Sequence, residues 1–452
     1  MGGKPELHPS SAYIPITPKQ EAEMLEAIGV SDKEDLFQDI PPGIRNPFLG
    51  LRAPVAEMEL VREMSDVAEK NIILPSFLGF GTYRRFQPAI VRAIIGRDEF
   101  LTSYTPYRPE ISQGTLQAAF EYQTMMCDLY GMDVSNTGMY DGATAMAEAA
   151  LMAVRIHNPR APGEIFVPRN RPKVVALNTV HPEWLDVTRT YLSGRDIELV
   201  VVGEDEIEEE SKDTSGVIVQ SPNFLGNVED LVEIGETAHT NDALFIVVAD
   251  PISLGMFETP GEYGADIAVG EGQSLGHLPN FGGVNLGIFT AKEKYVREMP
   301  GRIVGKTQDE HGRTGYVLTL QTREQHIRRE KSTPNICTAE QLIALASTVY
   351  LAALGEQGLR AVAERNYRNI HYLASKLLEK GFNLPFADRV FFNEFVVEVD
   401  NPSEVNKRLL GKGFIGGKDI SNWVPNGMLL CATETLNRRQ IDEFVEAFAA
   451  AA

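Results

Sequence analysis

The sequence predicts an α/β protein with a large sheet domain followed by a smaller C-terminal α/β domain. Short β-branched runs alternate with helical or loop segments: KVVAL from Lys173, IELVVVG from Ile197, GVIVQS from Gly216, ALFIVVA from Ala243, DIAVG from Asp266 and LGIFTA from Leu286. Continuous apolar runs are the pattern of parallel strands buried on both faces, and the interleaved helices supply the cover. After about Gln321 the pattern shifts to a helix-rich stretch through Leu378, a strand in FNEFVVEVD, a helix after Pro402 and a last helix from Asn437. That shift marks the second domain.

From the N-terminus, Thr17-Pro18 stands before KQEAEMLEAIG, where Thr caps, Pro fits the first turn and Gly29 stops the helix. A Pro/Gly-rich connector, Leu36 to Pro47, leads to a helical pattern from about Ala53 to Asn71 and then to the irregular PSFLGFGTYRRFQP. This opening reads as an arm lying on another surface. TLQAAFEYQTMMCDLYG and DGATAMAEAALMAVRIH read as two helices joined by a glycine-containing turn. The run EDEIEEE, Glu204 to Glu210, is too charged for a core and reads as a solvated loop or helix start. The expected division is an N-terminal helical arm over 1–70, a large domain over 71–320 and a small domain over 321–452.

Composition narrows the function classes. The net charge of −21 argues against nucleic acid or an anionic membrane as partner. No apolar run reaches the roughly 18 residues a bilayer requires, and the first residues lack a signal-peptide core. Glu6 occupies the position where myristoylation wants Ser or Thr, so a cytoplasmic location is expected. Cys127, Cys337 and Cys431 are too scattered for a disulfide framework or a metal site, and no metal is expected.

Three local patterns carry chemistry. In DGATAMAEA, Asp141, Gly142 and Thr144 open a helix whose free N–H groups and positive dipole end suit a phosphate. Asp250 follows a strongly apolar strand, and GEGQSLG follows another, with Gln273 at its centre. In this order the three resemble the cofactor-binding stretches of fold-type I, aspartate aminotransferase-like, pyridoxal phosphate enzymes. The resemblance makes Asp250 the partner of a pyridine nitrogen and places a Schiff-base lysine at Gln273. An amide is not a nucleophile. Lys306 and Lys331 are the alternative amines, each within polar, arginine-rich sequence rather than the desolvating surroundings that lower a lysine pKa.

Longer matches make the resemblance specific: YIPITP at Tyr13, GTYRRFQPAIV at Gly81, LTSYTPYRPEISQGTLQAAFEYQT at Leu101, YDGATAMAEAALMA at Tyr140, GEGQSLG at Gly270, REKSTPNICT at Arg329 and FNEFVVE at Phe392. Spread over almost the whole chain, they resemble the alpha subunits of split glycine decarboxylases, the P proteins of the glycine cleavage system. Arg108 stands where that family more often has Gln, and Pro334 where Ser is usual.

The resemblance implies a subunit that lacks the lysine and works with a beta subunit that holds pyridoxal phosphate, in an alpha2-beta2 assembly. Glycine would lose CO2 and its aminomethyl group would pass to the lipoyl arm of H protein, with the T and L proteins acting in the same system. Tyr104, Tyr107 and Glu110 are candidates for reaching the partner's active site, and Gly282 and Gly283 for donating to the cofactor phosphate across the interface. Asp141, Gly142, Thr144, His181 and Asp250 would form a vestigial pocket, with His181 where active relatives stack a ring on the cofactor. Docking of an acidic H protein would use a positive rim, either Arg84 with Arg85 or Arg328 with Arg329 and Lys331. A self-sufficient pyridoxal phosphate enzyme using Lys306 or Lys331, and a non-enzymatic regulator, are the competing readings.

Overall fold

The computed structural model describes residues 16–45, 47–48, 50–158, 168, 170–279, 285–321, 327, 329, 332, 336 and 340–452. Two compact units result, Met1–Ile73 and Leu74–Ala452. In the first, the helix Pro18–Ile28 is capped by Thr17, whose hydroxyl accepts from the Gln20 N–H, and ends at Gly29 in the left-handed conformation. A second helix covers Glu57–Ala68. It starts later than the pattern from Ala53 suggests, because Pro54 disfavours helix at the residue before it; Ala53 to Val55 form no regular element and Ala56 is extended. Neither helix buries a residue.

The second unit is built on a sheet with the order β1-β7-β6-β5-β4-β2-β3, seven strands among the described residues. These are β1 (Val134–Ser135), β2 (Lys173–Leu177), β3 (Glu198–Val202), β4 (Gly216–Gln220), β5 (Leu244–Val248), β6 (Ile267–Glu271) and β7 (Gly287–Ala291). The pairs from β3 through β2, β4 and β5 to β6 are parallel. Contrary to the all-parallel expectation, β7 runs antiparallel to β6, and β1 antiparallel to β7. The described residues between β6 and β7 contain a 3₁₀ turn, Gly272–Ser274, and no helix to carry a parallel crossover. IELVVVG is an edge strand with a partly exposed face rather than a buried one.

The helix Gly142–His157 lies buried along nearly its whole length, its alanines allowing close approach to the sheet. Its Met146 and Ala150 belong to the main apolar core, with Val219, Ile246, Phe289 and Tyr130. A hairpin of β8 (Ile303–Gln308) and β9 (Thr314–Thr319) follows, in a stretch whose polar sequence hid it. Asp309 sets its turn by accepting from the His311 and Arg313 N–H groups.

The long helix Gln341–Glu379 is interrupted at Gly355, with φ 62° and ψ −178°. It is long and apolar enough to cross a membrane, but it packs Ala344, Leu345, Ser347 and Tyr350 into the interior. Behind it β10 (Glu394–Glu398), β11 (Lys418–Asp419) and β12 (Gly427–Cys431) form a three-stranded sheet ordered β10-β12-β11. This sheet has its own apolar cluster with the helices Pro402–Gly411 and Arg438–Ala449, centred on Phe77, Phe395, Leu409 and Phe444. Phe77 stacks on Phe444 with ring centroids 3.6 Å apart, so the irregular segment after Leu74 is anchored in the C-terminal core.

Gly355 adopts backbone angles that only glycine holds without strain, while the space around its Cα is open. Gly355→Ala is therefore expected to lower the unfolding free energy by about 1–3 kcal/mol through backbone strain alone. Urea denaturation measures it; an unchanged midpoint would remove Gly355 as the reason the helix breaks.

Candidate functional site

Ligands in open α/β sheets bind at the carboxyl ends of the parallel strands, and the candidate residues gather there. Asp250 follows β5, Glu271 ends β6, and His181 and Trp184 follow β2. The remaining space is a cavity of about 40 Å³, lined by Gly81, Tyr83, Asp250, Glu271, Ser274 and Glu394 among others. A small-molecule site has about 300 Å³ or more.

At the start of the helix beginning at Gly142, the Gly142 and Thr144 N–H donors are occupied. Asp141 accepts from the Thr144 N–H at 2.7 Å, and the Thr144 hydroxyl receives the Asp141 N–H in return. The Gly142 N–H donates to Glu271 Oε2 at 2.9 Å. The other oxygen of Glu271 accepts from the Gln273 and Leu286 N–H groups, at 2.9 and 3.1 Å. A carboxylate thus sits where a phosphate is expected. Desolvation pushes the Glu271 carboxyl up to about 7 although three N–H groups favour its charged form, and Asp141 adds like-charge repulsion. A Cβ on Gly142 would overlap the Trp184 ring, so that face is closed as well.

Gln273 is 1 % exposed and uses its whole amide. Its oxygen accepts the Tyr83 N–H at 3.0 Å, and its nitrogen donates to the Tyr83 carbonyl at 3.0 Å and to the His277 carbonyl at 2.7 Å. This two-way pairing pins the segment around Tyr83 over the cavity. The Tyr83 hydroxyl donates to Glu394 Oε2 at 2.6 Å, and the Arg85 guanidinium lies 5.2 Å from its ring centroid. Burial, with the nearby Glu394 and Asp250 carboxylates, pushes the phenol well above its ordinary range.

Asp250 is engaged on both oxygens. One accepts from the Ile252 and Ser253 N–H groups; the other accepts from the Asn393 amide at 3.0 Å and faces Arg85 at 3.8 Å. Arg85 is 2 % exposed and pairs with Glu434 at 3.0 Å. Burial opposes its charge, but Glu434 and Asp250 outweigh burial and keep it protonated. It therefore cannot serve in a surface docking rim; its neighbour Arg84 is exposed. Glu394 accepts from the Tyr83 hydroxyl and the Phe80 N–H, and desolvation raises its carboxyl to about 7.

His181 is buried and touches Phe80, with ring centroids 4.2 Å apart, and its Nε2 lies 3.3 Å from the Phe80 carbonyl oxygen. Burial lowers its pKa, which favours the neutral ring. Phe80 itself has φ 74°, a costly conformation for a bulky residue.

Other candidates stand apart. Tyr104 is 69 % exposed and borders a separate cavity of about 210 Å³ with Ser103, Thr105, Thr115, Arg302 and Gln341. Tyr107 accepts from Arg302 through its hydroxyl at 3.1 Å, and Glu110 pairs with Arg108 on a 3₁₀ turn. Gly282, Gly283, Arg328, Lys331, Pro334 and Cys337 lie outside the described residues. Lys306 is exposed on β8, away from any described constellation of the cleft, and Arg329 is exposed. Cys127 and Cys431 are free thiols, and burial raises both.

Comparison with known proteins adds the family. The family model described as glycine cleavage system P-protein matches residues 11–448. The chain belongs to that family. It is 46 % identical over 448 residues to the probable glycine dehydrogenase (decarboxylating) subunit 1 of Moorella thermoacetica, covering 96 % of this chain and 98 % of that protein. The protein of the same description from Thermomicrobium roseum is 46 % identical over 451 residues, with 96 % and 98 % covered. The crystal structure of a glycine decarboxylase (P-protein) of the glycine cleavage system, in inhibitor-bound form, superposes with TM-score 0.88 at 41 % identity, covering 97 % of this chain and 100 % of that one. Glutamate decarboxylase from Lactobacillus brevis, at TM-score 0.67 and 14 % identity, shares the fold. The architecture is that of the fold-type I pyridoxal phosphate enzymes.

The residues present do not fit that cofactor. The helix N-terminus already holds Glu271, Asp250 already faces Arg85 and Asn393, and about 40 Å³ remains. Sequence reading missed Glu271, Tyr83 and Glu394, and put Arg85 on a surface rim rather than in the cleft. The one available signal was Glu271 itself, a carboxylate two residues before Gln273 in an otherwise small and apolar turn.

A lysine at 273 would have no acceptor for the Tyr83 N–H and would bury an ammonium. Gln273→Lys is expected to cost about 1–3 kcal/mol of stability, measured by chemical denaturation; full retention of stability would contradict the pairing. Glu394 carries a second expectation. Its carboxyl moves from 4.5 to about 7 on folding, so between those values the folded chain binds more protons than the unfolded one. Stability should fall as pH rises through that window and level off above it, and Glu271 acts in the same direction. Glu394→Gln should reduce the slope, by on the order of 3 kcal/mol across the window; melting curves against pH read it, and an unaltered slope would count against a protonated Glu394.

Proposed function

We propose that this chain is the lysine-free subunit of a two-chain glycine decarboxylase, and that it acts in the glycine cleavage system with a partner subunit that binds pyridoxal phosphate. The observation that carries the reading is Gln273: the residue that the resemblance puts at the anchoring position is an amide, consumed in holding Tyr83. Family membership and the relatives' description as subunit 1 support the partner; the filled pocket supports assigning the cofactor to it.

In the assembled enzyme glycine loses its carboxyl group as CO2, and the aminomethyl group passes to the lipoyl arm of H protein, the T and L proteins completing the system. The cofactor supplies the electron sink for decarboxylation when bound to the partner. This chain supplies surface and loops. The exposed Tyr104, and Tyr107 held by the buried Arg302, offer aromatic groups to a neighbouring active site. Gly282 and Gly283 are assigned to the phosphate across the interface. An alpha2-beta2 assembly in the cytoplasm completes the reading, and Arg84 and Arg329 are the exposed cations left for docking an acidic carrier.

The isolated chain is expected to catalyse no glycine–CO2 exchange and the mixture with its beta subunit to catalyse it. Exchange by the chain alone, with a borohydride-reducible adduct on Lys306 or Lys331, would overturn the proposal. Absence of exchange in the purified two-chain complex would do so in favour of a regulator.

A further inference from the structure

Losing a lysine removes a covalent anchor but does not by itself close a binding pocket. The noncovalent contacts of a phosphorylated ring, at a helix N-terminus and against a buried carboxylate, could persist. In this chain they have been taken over one by one. Glu271 joins the Gly142 N–H to those of Gln273 and Leu286, tying the helix start to both ends of the β6–β7 connection. A phosphate arriving there would find those N–H groups already donating to the Glu271 carboxyl, the Asp141 carboxylate of its own sign beside the helix start, and the Trp184 ring against Gly142.

The ring position is closed by a separate device. Tyr83 is fixed at three points: its backbone by Gln273 in both directions, its hydroxyl by Glu394, and its ring beside the Arg85 guanidinium that faces Asp250. Phe80, three residues earlier, covers His181 in a left-handed conformation. It is held there by the Glu394 carboxylate on its N–H, by Lys418 at 5.1 Å from its ring centroid and by Trp423 at 5.7 Å. Strain of that kind persists only where the surroundings over-determine it.

Resting on the functional reading above, we infer that Glu271 and Tyr83 are specificity-determining residues that exclude pyridoxal phosphate from this chain by occupying its phosphate and ring positions. The missing lysine is then a consequence-bearing change only in their company. Restoring it alone leaves the pocket closed, because Gln273 is one pin of the plug and Glu271 and Glu394 remain.

The probe is pyridoxamine phosphate, which lacks the aldehyde and so forms no imine with surface lysines, titrated calorimetrically into the full-length chain. Wild type and Gln273→Lys are expected to give no binding heat at the highest probe concentration reached, whereas Tyr83→Ala/Glu271→Ser is expected to bind with a Kd at least about tenfold below that concentration, about 1.4 kcal/mol beyond the detection limit. Adding Gln273→Lys to that pair should give a borohydride-reducible adduct with pyridoxal phosphate, located at position 273 by mass spectrometry. Binding by the wild-type chain, an adduct at 273 in the single Gln273→Lys variant, or no gain in the opened variant would each overturn the inference. If the double variant melts below the assay temperature, Glu271→Ser alone is titrated with the same probe, and it must still bind more tightly than wild type. Glycine–CO2 exchange by the complex is scored separately: its loss strikes the functional reading and leaves these binding results standing.

Discussion

The pairing of the Gln273 amide with both backbone groups of Tyr83 is the constraint on which the cleft depends. An amide side chain can accept and donate at once, which lets it act on an irregular segment as a neighbouring strand would. Lysine offers three donors and no acceptor. The substitution that removes the nucleophile therefore also installs the clamp, and the clamp has to be buried to work, since in water the Tyr83 N–H and carbonyl would lose little by pairing with solvent.

From that clamp the polar interior extends toward the C-terminal sheet. Tyr83 reaches Glu394 at the start of β10, Arg85 reaches Glu434 beyond β12, and the Thr433 hydroxyl donates to the Arg84 carbonyl. Asp250, at the end of β5, closes the circuit through Arg85 and Asn393. The large sheet and the small sheet are thus joined by charges, and the Phe77–Phe444 stack anchors the segment that carries Tyr83 and Arg85 in the small sheet's core. A buried ion pair adds little net stability over a well-packed apolar pair, but removing one member leaves the other uncompensated. The network consequently specifies one arrangement of these elements more than it deepens the energy of that arrangement.

Legibility in the sequence followed periodicity. The strands KVVAL, GVIVQS and ALFIVVA, the helix from Gly142 and the Thr17 cap could be read because each is a local pattern with a local cause. The antiparallel return of LGIFTA could not, since an apolar run has no direction. The hairpin around Asp309 was hidden because its strands, IVGKTQ and TGYVLT, lack the strict apolar alternation that marks a half-buried ribbon. In the site, Asp250, Gln273 and the helix start were found by motif, but their partners were not. Arg85 and Glu434 are separated by 349 positions, Tyr83 and Glu394 by 311, and nothing local to GTYRRFQP says which of its two arginines turns inward. Arg85 sits inside because Glu434 and Asp250 wait for it there, a fact that exists only after folding.

The distribution of charge gives the closed cleft its direction. Asp141, Asp250, Glu271, Glu394 and Glu434 converge on it, and Arg85 is the cation set among them. Two of these carboxyls, Glu271 and Glu394, relieve the crowding by holding their protons to about 7. A pocket shaped for a dianionic phosphate gathers donors and cations at its base; this one has gathered acceptors, and then satisfied them with its own backbone N–H groups, a phenol and one guanidinium. Such an arrangement is stable without a ligand and gains nothing from one. It frees the chain's remaining chemistry for its outer face, where Tyr104 stands exposed and Tyr107 is held in place from behind by Arg302.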